Sequence, residues 1–273
     1  MTISILGCGW LGTPLAEHLI DRQHTVKGST TTKEKLFKLR QKGIEPYLID
    51  LSPEIEAPET VINFWNADIL VLNIPPGRAR DNVIKYHPQQ IDAVAKAAAA
   101  GTIKRIVFVS STSVYPEKPG TVTEKDATPG KAVRDSGNAL LIAEDLLMSS
   151  PAFKTTILRF GGLYGGDRHP AKYMAGRESL GKAHAPVNLI HRDDCIQIIT
   201  QIIEEDINDE IFNAVADAHP TRKEYYTRAA EKLNLDPPSF EKDSSNKNYK
   251  VVSNAKLKEQ LSYRFIHPQL GLA

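Results

Sequence analysis

Gly7-Cys8-Gly9-Trp10-Leu11-Gly12 follows Thr2-Ile3-Ser4-Ile5-Leu6 directly, and Thr13-Pro14-Leu15-Ala16 opens a helical pattern behind it. A short isoleucine-rich strand, three glycines at this spacing and a helix start together form a dinucleotide-binding turn. The first glycine permits the tight turn, the second lets main chain approach a pyrophosphate, and the third lets helix and strand pack closely. The helix start then offers unpaired N–H groups and the positive end of its dipole to the phosphates. Three nearby glycines can also be a plain loop, but here strand, helix and position in the chain agree. Gly7, Cys8, Gly9, Trp10, Leu11 and Gly12 are therefore the first cofactor-binding candidates.

The chain has 273 residues, enough for one large α/β domain with a smaller lobe. Apolar residues make up 41% and charged ones 25%, the balance of a soluble globular protein. A formal net charge of +1 supplies no basic field, which argues against nucleic acid or an anionic membrane as partner. No apolar run reaches membrane-spanning length, and the N-terminal residues lack the basic-then-apolar layout of a signal peptide. Cys8 and Cys195 stand far apart without framework spacing, which suits a reducing compartment. The expectation is a cytoplasmic protein.

Strand-like and helix-like segments alternate along the chain. Residues 25–28, 47–49, 69–72, 105–109, 155–159 and 211–214 read as strands. Residues 33–42, the alanine-rich 91–100 with Gly101 as its cap, 137–148, 195–205 and 222–233 read as helices. Such alternation predicts an α/β protein of the Rossmann type, a doubly wound parallel sheet with its strand C-terminal ends along one crevice. The pattern becomes irregular after about residue 165. Residues 1–165 are read as the NAD(P)-binding domain and 166–273 as a smaller substrate-binding lobe, interleaved with it. The polar stretch 236–248 reads as a surface loop.

An NAD-selective site places a carboxylate about 20 residues beyond the glycine turn. Here that region reads Gly28-Ser29-Thr30-Thr31-Thr32-Lys33-Glu34-Lys35. Thr31 with Glu34 fits a capping box, which would turn the acid back onto the helix start. Ser29, Thr30, Thr31 and Lys33 would then suit a ribose 2′-phosphate, so NADP(H) is favoured over NAD(H). A helix cap beside a solvated charged face is the plain alternative. Asp50 with Leu51 ends the third strand, where a carboxylate could accept from the adenine amino group or simply stand in a turn. Asn73, Ile74 and Pro75 follow the fourth strand and would pass beneath the cofactor, or only punctuate a loop.

At Val109-Ser110-Ser111-Thr112-Ser113-Val114-Tyr115 and Leu158-Arg159-Phe160-Gly161-Gly162-Leu163-Tyr164-Gly165 a wider pattern emerges. Asn188-Leu189-Ile190-His191-Arg192-Asp193-Asp194 continues it, with Phe212-Asn213-Ala214-Val215 before Pro220-Thr221-Arg222. Together these resemble the extended short-chain dehydrogenase/reductase superfamily, in particular the NAD-dependent epimerase/dehydratase family, over nearly the whole length. The resemblance implies that Ser111 matches the family's active-site serine or threonine, with Ser110 on the cofactor side and Ser111 and Thr112 on the substrate side. It places Phe160, Gly161 and Leu163 near the nicotinamide, and Asn188, His191 and Asp193 on the substrate side. It also implies a homodimer through helices including 93–100 and 137–148.

The family's chemistry rests on a Tyr-x-x-x-Lys pair, one helical turn apart, in which tyrosine moves the proton and lysine lowers its pKa. Ser136 and Leu140 occupy those two positions here, and no Tyr-x-x-x-Lys occurs anywhere. Ser136 reads as a helix N-cap and Leu140 as core. Tyr115 and Tyr164 follow strand ends and are the substitute proton carriers to test, each needing a cationic neighbour. His191 could carry a proton or be an ordinary loop histidine. No metal site is expected, because the histidines and acids lack ligand spacing. The expected activity is an NAD(P)-dependent oxidoreductase or epimerase on a small hydroxylated substrate resembling a nucleotide-linked sugar. A non-catalytic NADP(H)-binding sensor or scaffold is the alternative.

Overall fold

A computed structural model describes residues 1–52, 54, 55, 59–77, 82–241 and 249–271. The apolar runs become the strands β1 (Thr2–Leu6), β2 (Thr25–Thr30), β3 (Glu45–Leu48), β4 (Ile69–Leu72), β5 (Arg105–Ser111), β6 (Lys154–Phe160) and β7 (Ile211–Ala214). They form one seven-stranded sheet in the order β7-β6-β5-β4-β1-β2-β3, with every neighbouring pair parallel. Ile5 of β1 stands opposite Gly28 on one side and Val71 on the other. Because β1 is third from one edge, the crossover direction reverses beside it, and that reversal opens a crevice at the strand C-terminal ends.

Helices α1 (Gly12–Asp21), α2 (Lys33–Gln41), α3 (Val83–Ala100), α4 (Asp135–Met148), α5 (Pro170–Met174), α6 (Arg192–Glu204), α7 (Arg222–Lys232) and α8 (Ala255–Leu261) complete the chain. Strands buried on both faces read as continuous apolar runs, and alternate side chains feed two cores. Ile3, Ile5, Val71, Val107, Leu158 and Phe212 pack with Leu15, Leu19, Ile198 and Ile202. Leu6, Leu70, Leu72, Ile106, Phe108 and Ile157 pack with Ile91, Val94, Leu140 and Leu147. Helix α3 begins eight residues before the expected 91 and carries Pro88 inside it, which costs one main-chain hydrogen bond. Gly101 caps its end as expected, donating to the carbonyls of Ala97 and Ala98.

The second half of the chain returns β7 to the main sheet beside β6. Residues 166–273 therefore contribute both to the sheet and to a separate small core of Tyr164, Val187, Leu189, Ala216, Tyr225 and Leu270. Two short parallel strands, Gly162–Tyr164 and Leu189–His191, begin that lobe. Of the loop expected at 236–248, residues 242–248 lie outside the described residues. Among the described residues, no helix is long and apolar enough to cross a membrane.

Candidate functional site

The glycine turn is fixed from the neighbouring strands. Gly7 N–H donates to Ser29 Oγ at 2.9 Å, Cys8 N–H to the Ser29 carbonyl at 2.8 Å, and Asn73 Nδ2 to the Gly7 carbonyl at 3.1 Å. Gly7 adopts φ +108°, and a Cβ there would lie 2.3 Å from the Asn73 carbonyl oxygen. A Cβ on Gly12 would lie 2.2 Å from the Gly7 carbonyl oxygen, so helix and turn meet main chain to main chain. Gly9 is different: nothing lies within 4 Å of where its Cβ would stand. The main-chain N–H groups of Trp10 and Leu11 beside it find no acceptor among the described residues. An open cradle edged by free donors at a helix start fits the diphosphate of a dinucleotide.

Cys8 and Leu11 contribute only main chain, since both side chains are buried. Burial pushes the Cys8 thiol up to about 12, so it is not a nucleophile. Ser29 and Thr30 are buried too and serve the turn itself; Thr30 Oγ1 accepts from the Thr32 N–H at 3.2 Å. The expected Thr31–Glu34 capping box is corrected: α2 starts at Lys33 with Thr32 at its N-cap, one residue later than the box requires. Thr31, Lys33 and Glu34 are all exposed beside the end of β2.

Asp50 is exposed and lines a wide cleft of about 940 Å³ with Arg40, Tyr47 and Asn63 at the outer edge of β3. None of that cleft's residues belongs to the glycine turn, so volume alone does not mark the site. The Leu51 carbonyl is tied to α3, accepting from Tyr86 Oη at 3.2 Å and Gln90 Nε2 at 2.5 Å. Ile74 Cγ2 lies 3.5 Å from the Gly7 Cβ position, and Pro75 beyond it is exposed.

At the end of β5 two neighbouring serines point opposite ways. Ser110 is buried and donates to Glu144 Oε1 at 2.6 Å, so its hydroxyl does not face a cofactor. Ser111 is half-buried, and its Oγ accepts the Ser113 N–H at 3.2 Å, capping a 3₁₀ turn over Thr112–Val114. Tyr115 is 0% exposed. Its hydroxyl donates to Asn213 Oδ1 at 2.5 Å and accepts from Arg159 Nη1 at 3.0 Å. Arg159 in turn forms an ion pair with Glu144 at 2.6 Å. Burial raises the Tyr115 pKa, partly offset by the Arg159 charge. This tyrosine is a core hydrogen-bonding group, which removes it as a proton carrier.

Tyr164 is also buried, and its hydroxyl has no partner among the described residues. Burial drives its pKa well above the usual tyrosine range, with no cation to bring it back. Phe160 is core, whereas Leu163 is half-buried in the short strand that follows β6 and pairs with Leu189–His191. A Cβ on Gly161 would lie 2.6 Å from the Asn188 carbonyl oxygen. The Asn188 side chain behaves like a strand residue, donating to the Lys250 carbonyl at 3.1 Å and accepting from Val252 N–H at 2.8 Å. Its amide is therefore engaged by main chain rather than free for substrate.

His191 caps α6, its Nδ1 accepting the Asp193 N–H at 3.2 Å. Asp193 Oδ2 lies 3.4 Å from His191 Nδ1 and 3.4 Å from His267 Nε2, and the two imidazoles stand 3.7 Å apart. Burial and then the neighbouring His267 lower the His191 pKa. His267 joins His191 and Asp193 from far along the sequence, which spacing could not reveal. Ser136 lies inside α4, whose N-cap is Arg134, so the expected capping role is corrected. Leu140 is buried among apolar side chains, as expected, one turn before Glu144.

The family model described as NAD(P)H-binding matches residues 7–206. The chain belongs to this NAD(P)H-binding family. It is 35% identical over 267 residues to Protein YeeZ of Escherichia coli (strain K12), covering 97% of this chain and 96% of that one. In fold this NAD(P)H-binding protein is similar to a short-chain dehydrogenase/reductase superfamily protein from Agrobacterium tumefaciens with bound NAD. That structure has 17% identity and a TM-score of 0.78, over 97% of this chain and 92% of that one. UDP-glucose 4-epimerase from Thermotoga maritima is similar with 16% identity and a TM-score of 0.79, over 100% and 97%. The Rossmann-type parallel α/β fold expected from the sequence is thus the fold of the chain, and these structures share it.

Sequence reading of this NAD(P)H-binding protein missed the surroundings of Trp10. Trp10 Nε1 donates to Asp167 Oδ1 at 2.9 Å, while Arg168 and Arg192 lie over its ring at 4.4 and 5.3 Å from the centroid. The available signal was a tryptophan inside the glycine turn and an arginine, Arg192, within the 188–194 segment, whereas Arg168 lies beyond the 158–165 motif.

Proposed function

We propose that the protein holds NADP(H) on the glycine turn and exchanges a hydride with a small hydroxylated substrate, as an oxidoreductase or epimerase. The cradle at Gly9, edged by the free Trp10 and Leu11 donors, carries this reading. Ser111, half-buried at the end of β5, would hold the substrate oxygen. Leu163 would lie near the nicotinamide, and Thr112, His191 and Asp193 would line the substrate side. A nucleotide-linked sugar is the substrate class we favour, and the nicotinamide would supply or accept the hydride when bound. Tyr115 and Tyr164 play no part, because their hydroxyls are enclosed. The proton would pass through the Ser111 hydroxyl or solvent. General acid–base help is worth about 10² to 10⁴ in rate, so slow turnover is expected without the tyrosine–lysine pair.

Lys33 and Thr31, exposed at the end of β2, would meet a ribose 2′-phosphate. Fluorescence titration with NADPH and NADH tests this, and tighter NADH binding would refute it. Turnover over a panel of nucleotide sugars and aldehydes tests the enzyme reading. The buried Leu140 and the enclosed tyrosines favour a second reading, a sensor of cofactor redox state. No turnover, together with unequal affinity for reduced and oxidised cofactor, would establish it. We also place the protein in the cytoplasm, where its buried thiols stay reduced, with sedimentation to test a homodimer covering the exposed Ile142 of α4.

A further inference from the structure

Trp10 occupies the middle of the glycine turn, and its ring is fixed at one edge by the Asp167 carboxylate. Two guanidinium groups from separate segments converge on that ring. Arg168 leaves the tight loop in which Gly165 and Arg168 exchange main-chain hydrogen bonds at 2.8 and 3.1 Å. Arg192 leaves the first turn of α6. Room for Arg192 is built into the loop. Gly166 adopts φ +58°, and a Cβ there would lie 2.6 Å from Arg192 Nη1. Neither arginine has a carboxylate partner among the described residues, and Arg192 Nε is buried without any acceptor. Two guanidinium groups drawn to one ring without a paired carboxylate gain from an anion, and a buried donor without an acceptor is costly. Stacking on an indole occupies the face of a guanidinium but leaves its in-plane N–H donors free, the geometry that suits phosphate oxygens.

We propose that Arg168 and Arg192 bind the phosphoryl oxygens of a ligand lying on the glycine turn, opposite the Trp10 and Leu11 main-chain donors. The pair would close the anion site from the lobe side, so a single diphosphate would bridge the two halves of the molecule. The inference rests on the reading that the turn holds a dinucleotide. The diphosphate belongs either to that cofactor or to a second, nucleotide-linked ligand beside it.

The test compares wild type with Arg168→Gln, Arg192→Gln and the double variant, using NADH fluorescence, adenosine competition and unliganded melting temperature. If the cofactor's diphosphate is bound, the double variant loses about ten- to a hundredfold in NADH affinity, while adenosine affinity and melting temperature hold. If the diphosphate is the second ligand's, NADH affinity holds, and inorganic pyrophosphate binds NADH-loaded wild type but not the loaded variant. Unchanged affinity for both NADH and pyrophosphate would overturn the proposal while leaving the dinucleotide reading intact. So would an equal fall in NADH and adenosine affinity with a lowered melting temperature, the mark of a purely structural stack. Wild type that binds neither NADH nor NADPH would overturn the dinucleotide reading itself, and this inference with it.

Discussion

Two clusters of charged side chains lie at the C-terminal ends of the strands, and they are built on opposite terms. Behind β5, β6 and β7, Glu144 takes both Arg159 and Ser110, Arg159 reaches Tyr115, and Tyr115 reaches Asn213, all within the protein. Around Trp10, by contrast, two arginines lie over the ring and the Trp10 and Leu11 main-chain N–H groups find no acceptor among the described residues. A buried polar network in which all but one group, Asn213 Nδ2, finds a partner among the described residues stiffens the fold. A convergence of unsatisfied donors at an open cradle is where a ligand completes the structure. Residue type does not separate the two clusters, but the balance of donors and acceptors does.

The contrast breaks most visibly at the buried pair. Arg159→Leu leaves the Glu144 carboxylate buried without its cation, and losing one partner of such a pair costs about 3–5 kcal/mol. Urea unfolding should register that loss, and a drop below about 1 kcal/mol would mean that water reaches the network. The next effect is a pH dependence. His87 is 0% exposed on α3, and burial lowers its pKa from 6.5 to about 4, with Gln90 pulling weakly the other way. The folded state thus keeps the ring neutral while the unfolded chain takes up a proton. Stability from this group is complete above pH 6.5 and lost as pH falls toward 4, by an amount on the order of 3 kcal/mol. His87→Gln should flatten the unfolding free energy across that interval, and an unchanged profile would remove His87 as the cause.

At the cradle the expected signature is reversed, with binding lost and stability kept. Gly9→Val places a side chain where nothing lies within 4 Å, at a backbone angle outside the left-handed region. The fold should tolerate it, while NADH affinity falls about a hundredfold, or about 2.7 kcal/mol. A valine variant that binds as well as wild type would show that the dinucleotide does not cross this turn.

The site was legible to different depths. Gly7, Gly9 and Gly12 were readable because their roles depend on main chain and sequence-local spacing. Residues 211–214 read as a strand and form one, since a short run rich in apolar residues and bounded by polar ones leaves little choice. Ser110 and Ser111 were not separable in advance, because only the pleat decides which hydroxyl meets Glu144. His191, Asp193 and His267 meet only when the chain returns after α8, and no spacing rule joins positions so far apart. The Thr31–Glu34 box misled because three successive threonines offer equivalent caps, and strand β2 continues through Thr30 before α2 starts.

The two tyrosines that sequence alone could not rank give the finest test of the contrast. Tyr115→Phe removes a donor to Asn213 and an acceptor for Arg159, leaving buried groups unpaired, at a cost of about 1–3 kcal/mol. Tyr164→Phe removes a hydroxyl that already lacks a partner, so it should be neutral or stabilise by up to about 1 kcal/mol. Neither change should alter NADH affinity or turnover, because both hydroxyls are enclosed behind the strand ends. Unfolding midpoints and cofactor titrations on the same two samples separate the cases. If Tyr164→Phe instead slows turnover while leaving the midpoint unmoved, its unpartnered hydroxyl belongs with the open crevice rather than the closed core.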